Sequence, residues 1–119
     1  MTEADFRKLA LALPESEERS HMGHPDFRVR GKVFATLRYP KRGWGMVSVS
    51  PDDQSVLTRL QPACFIPAAG AWGLKGSTTI LLRSAKRGLV RQALEDAWRN
   101  KAPGSLVVKL SEHATRRKK

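Results

Sequence analysis

Between Gly23 and Gly43 the chain runs GHPDFRVRGKVFATLRYPKRG, with six lysines or arginines against one aspartate, alternating with apolar residues at strand spacing. If Phe27, Val29, Val33, Ala35 and Leu37 pack inward, the cations Arg28, Arg30, Lys32, Arg38, Lys41 and Arg42 are left near an exposed face and its turns. Such cations neutralise phosphates and release counterions, which gives affinity for a polyanion without reading its sequence. A solvated sheet edge, where Lys and Arg block edge-to-edge pairing, makes the same demand on composition. A second candidate is GAWGLKGST, residues 70–78: Gly70, Gly73 and Gly76 permit close backbone approach, and Lys75, Ser77 and Thr78 offer donors to a phosphate. It lacks the GKS or GKT ending of a phosphate-binding P-loop, so nucleotide hydrolysis is not expected. The plainer expectation is a demanding loop with Trp72 plugged into the core.

Other reactive residue types form no recognisable constellation. His21 and His24 make HxxH, but Cys64 and His113 are the only further soft or imidazole ligands, so no metal site and no cofactor are expected. Cys64 sits beside Phe65 and Ile66, an apolar setting that keeps a thiol inert. The carboxylates fall at helix starts and in loops, where capping accounts for several, and no acid/base pair stands out. A non-enzyme is the expectation. Trp44, Phe34 and Tyr39 lie among the basic residues and are of the type that stacks on unpaired bases, but core packing is the simpler role for each.

The elements that must position these residues are legible in part. Thr2, Asp5 and the series Phe6, Leu9, Ala10, Leu13 predict a capped amphipathic helix ended by Pro14. Glu15 to Pro25 has no period and is expected to be a loop with Glu15, Glu17 and Glu18 in water. Strands are predicted over Phe27–Val29 and Lys32–Tyr39, joined at Arg30 and Gly31, and a third over Trp44–Val49 after the turn at Pro40 to Gly43. Ser50, Pro51 and Asp53 start a helix with Val56, Leu57 and Leu60 on its apolar side, stopped by Pro62. A long connection to Gly76 follows, with Phe65, Ile66 and Trp72 expected to pack it down. Ser77–Arg83 predicts another strand, and Ser84 is the expected cap of a helix whose stripe is Leu89, Val90, Ala93, Leu94, Ala97 and Trp98. Beyond Pro103, LVVKL fits an edge strand, a helix turn or a tail.

At 119 residues the chain suits one domain. The net charge of +11 is uneven, about +5 over residues 21–50, +4 over 71–100 and +5 over 101–119, with −2 and −1 over 1–20 and 51–70. One cysteine excludes an intrachain disulfide, the N-terminus lacks a secretory pattern, and no apolar run is long enough to span a membrane, so a cytoplasmic protein is expected.

The order of HMGHPDFRVRGKVFATL, PDDQSVL, GAWGLKGST and EDAWRNKAP resembles the MmcQ/YjbR family over roughly residues 2–103. The resemblance implies a compact, two-layer α+β domain, a twisted antiparallel sheet with helices packed on it, similar to the frataxin and secretion-chaperone folds. It also implies a DNA-binding role of the double-wing type. With it, residues 1–103 form the domain and 104–119 a basic extension, at least partly disordered. The expected function is nucleic-acid binding, DNA before RNA, through Arg28, Arg30, Lys32, Arg38, Lys41, Arg42 and Lys75, with little sequence specificity. Two alternatives remain open: a protein-interaction module using the sheet face, and a small-molecule-binding domain on the side of Trp72 and Trp98.

Overall fold

Thr2 starts the first helix as its sequence predicts. In the computed structural model, which describes residues 1–108, its hydroxyl accepts from the Asp5 amide at 3.1 Å and the Asp5 carboxylate accepts from the Thr2 amide at 2.9 Å. This capping box satisfies two donors that the first turn leaves open. Helix α1 (Glu3–Leu11) then buries Phe6 and Ala10.

Six strands form one sheet in the order β1-β2-β3-β4-β6-β5, antiparallel throughout: β1 (Ser16–His21), β2 (His24–Val29), β3 (Lys32–Leu37), β4 (Trp44–Ser48), β5 (Phe65–Pro67) and β6 (Ser77–Leu81). The β2–β3 turn puts Arg30 and Gly31 both at positive φ, 50° and 80°, the conformation that a two-residue hairpin needs. Helices α2 (Pro51–Leu60) and α4 (Arg87–Lys101) join α1 on one face of the sheet, and α3 (Ala71–Leu74) lies in the connection before β6. The core between sheet and helices holds Phe6, Phe27, Phe34, Leu37, Leu57, Ile80, Leu94 and Trp98, each at most 2% exposed. The α+β class and its layered antiparallel sheet are as expected.

Several elements differ from the sequence reading. Ser16–His21, expected in a loop, is a strand: it has no apolar residue and lies at the edge, where backbone pairing with β2 holds it. Its glutamates are exposed, as expected. The register between β2 and β3 shifts between Phe27 and Arg28, because Phe27 pairs with Ala35 while Arg28 pairs with Val33. The extra residue is Phe34, and this bulge turns Phe34 into the core while Val33 goes to the opposite face. Strict alternation had assigned those two the other way.

Helix α2 is capped by Ser50 and carries Pro51 in its first turn, but only Leu57 of its apolar side is buried; Val56 and Leu60 are exposed. The long connection contains β5 and α3, and its Trp72 is 66% exposed, so it does not plug the core. The glycines there approach protein backbone: a Cβ on Gly73 would overlap the Ala68 carbonyl and one on Gly76 the Val49 carbonyl. The N-cap of α4 is Lys86, not Ser84, because the Gln61 side chain binds Ser84 O and the Lys86 amide and so fixes the loop. Residues 104–108 are helical and Leu106 is 1% exposed in the common core, so packing continues across the boundary expected at 103. The disorder expected towards the C-terminus concerns, from 109 on, residues outside those described.

Candidate nucleic-acid interface and the open sheet face

The expected cations separate into two kinds. Arg28 holds Asp26 through Nε and Nη2 at 2.8 and 3.0 Å, Arg30 holds Glu15 through the same two nitrogens at 2.8 and 3.2 Å, and Arg38 reaches Glu3 at 3.1 Å. Lys32, Lys41, Arg42 and Lys75 are exposed and stand in none of the ion pairs among the described residues. In those pairs the cation is an arginine, with His21 the exception.

Topology divides them again. The Arg30–Gly31 turn opens β3 and the Lys41–Arg42 turn follows its other end, so the two basic turns lie about 20 Å apart at opposite ends of the sheet. Lys75 precedes Ser77, which pairs with Ser48 at the far end of β4 from the Lys41 turn, so it belongs to the Lys32 end. Its Nζ lies 5.9 Å from the ring centroid of Trp72.

At the other end three chain segments meet. Leu82 N donates to Gly43 O at 3.1 Å, and the α-amino group of Met1 donates to Leu82 O at 2.8 Å. These bonds bring the Lys41–Arg42 turn against the start of the segment that carries Arg83, Lys86 and Arg87, all exposed. Arg87 has only a long contact with Asp5, at 3.9 Å. Helix α4 starts there with neither a side-chain cap nor an acidic residue in its first turn, so its positive end adds to the field. Arg83, Lys86 and Arg87 were missed because they sit some forty residues from the basic hairpin; only the pairing of β4 with β6 joins them.

The sheet face opposite the main helix layer carries a groove of about 430 Å³, lined by Val33, Tyr39, Met46 and Trp72 and reached at its edge by Lys101 from the end of α4. Asp26, Thr36, Met46 and Thr79 form one register row across four strands. Asp26 is fully buried and its carboxylate takes Arg28 on one side and His21 Nδ1 at 2.6 Å on the other. The Arg28 bonds hold the Asp26 carboxyl below the usual carboxylate range, with burial opposing and His21 assisting. The same pairing raises the Arg28 guanidinium above its ordinary value. Trp98, expected on a ligand side, is buried on the helix face, where its indole donates to Pro14 O at 3.0 Å. No group of histidine, cysteine and carboxylate side chains suited to a metal occurs among the described residues, and none of their helices is long and apolar enough to cross a membrane.

The architecture defines a two-layer α+β protein whose antiparallel sheet leaves one face open. A family model described as YjbR matches residues 11–100, and the chain belongs to that family. The crystal structure of Deinococcus radiodurans protein DR2400, with its DUF419 domain, is similar in fold: the TM-score is 0.69 at 19% identity, covering 82% of this chain and 75% of that one. Among curated proteins nothing matches the chain.

Proposed function

We propose that this protein binds nucleic acid, duplex DNA with little sequence discrimination, through the basic end of the sheet, and that it acts in the cytoplasm as a binding protein rather than an enzyme. The observation that carries the reading is the Leu82 N to Gly43 O bond, which unites the Lys41–Arg42 turn with Arg83, Lys86 and Arg87. Of the cations expected from the sequence, Lys41 and Arg42 are the core of this interface. Arg38 lies beside it and is held by Glu3. Arg28, Arg30, Lys32 and Lys75 serve other faces.

Five neutralised phosphates correspond to a log-log salt slope of about −4.5. In a fluorescence-anisotropy titration of a short labelled duplex, the triple variant K41E/R42E/R83E is expected to bind at least about tenfold more weakly at low salt, with a shallower slope. The variant K32E/K75E, altered at the opposite end, retains most of the affinity. Absence of binding by the parent chain at low salt, or an equal loss in both variants, overturns the reading.

A further inference from the structure

The open-face groove is not used by the interface just proposed, and its chemistry points elsewhere. The acid held by two of its lining residues, Asp26, is buried and is engaged by Arg28 and His21. Arg28 retains both N–H groups of Nη1 and one of Nη2 after those bonds, since guanidinium has five donors. Lys101, at the end of α4, lines the same groove and takes part in no ion pair among the described residues. The charges of Arg28 and Asp26 cancel, and Glu17, opposite Arg28 in the register, is paired with Arg19 at 3.2 Å, so Lys101 leaves the groove with one net positive charge.

The remaining polar groups include hydroxyls, each able to donate one hydrogen bond to an anion. The hydroxyls of Thr36, Ser48 and Ser77 line the groove and make no hydrogen bond to another described residue. Between them lie the apolar surfaces of Val33 and Met46, and Trp72 is two-thirds exposed beside them. A volume of about 430 Å³ falls in the range of small-molecule sites, which combine an apolar lining with a few converging polar groups.

We infer that this groove binds a small amphipathic anion, a flat apolar body that lies along Val33, Met46 and Trp72 and ends in a carboxylate met by Lys101 and the free edge of Arg28. Asp26 does not touch the ligand. It fixes Arg28 and His21 in place, so that the guanidinium is already oriented when the anion arrives. The inference stands apart from nucleic-acid binding, which uses a different end of the molecule.

Isothermal titration with naphthoate, and with naphthamide as its neutral counterpart, tests the inference. Naphthoate is expected to bind saturably, one per chain, about tenfold more tightly than naphthamide. The variants K101M and W72A, both altered at solvent-accessible side chains, are each expected to weaken naphthoate about tenfold. K41E/R42E, defective on DNA, retains naphthoate affinity, so the two readings fail separately. No saturable binding of naphthoate, equal affinity for the acid and the amide, or unchanged affinity in K101M overturns the inference.

Discussion

Asp26 accepts from two Arg28 nitrogens, Nε and Nη2, and lies 2.6 Å from His21 Nδ1. Within PDFRVR it is one acid among cations, yet it is fully buried on the open face with Arg28 and His21 bound to it. Half of that arrangement is legible, because residues two apart on a strand share a face and Asp26 and Arg28 are so spaced. The His21 contact depends on β1, which the sequence does not announce. The Asp26 carboxyl is lowered in the folded state, so its contribution to stability is complete above the unfolded value near pH ~4 and is lost as pH falls through the lower native value. Asp26→Ala is expected to cost about 2–3 kcal/mol at neutral pH, reduced from a fully buried pair because Arg28 reaches water. Urea denaturation checks this: the gap between variant and parent narrows as pH is lowered towards ~2–3.

At the scale of elements, α1, the β2–β3 turn, β4, β6 and the buried stripe of α4 have local causes. Caps, turn glycine and period are all present in the sequence that forms them. Strand β1 has no such cause, since SEERSH lacks alternation; it forms because β2 offers an edge and because Arg7–Glu18 and Arg30–Glu15 tie it to α1 and to the next turn. The connection before β6 depends on Gly76, at φ 113° and against the Val49 carbonyl. Gly76→Ala is expected to destabilise by at least about 2 kcal/mol, from overlap and positive φ together. Gly104→Ala, with open space around the new methyl, stays within about 0.5 kcal/mol of the parent. Thermal unfolding of the two variants side by side checks the contrast.

For the whole molecule the dominant quantity is the net charge of +11. Self-repulsion opposes the compact state, and added salt screens it over about 8–10 Å at ordinary ionic strength. The unfolding midpoint is therefore expected to rise with NaCl up to about 0.3 M, while DNA affinity falls over the same range. Scanning fluorimetry across a salt series checks the first trend. A midpoint that falls steadily with salt contradicts this view of the charge and assigns more weight to the arginine–carboxylate pairs.

Alone, the sequence determined the capped first helix, the hairpin and the excess of cations, because each rests on neighbours within a few residues or on composition, while the family likeness carried the class of fold. Tertiary structure decided the rest. The edge strand and the bulge that exchanges Phe34 and Val33 are set by how strands pair, which composition and period do not specify. The division of the cations is settled in the fold too: carboxylates from α1, from β2 and from the segment before β1 engage Arg38, Arg28 and Arg30, and the pairing of β4 with β6 gathers Lys41 and Arg42 with Arg83. Charge can be counted along a chain, but a binding surface is set by which charges remain unpaired and adjacent in space.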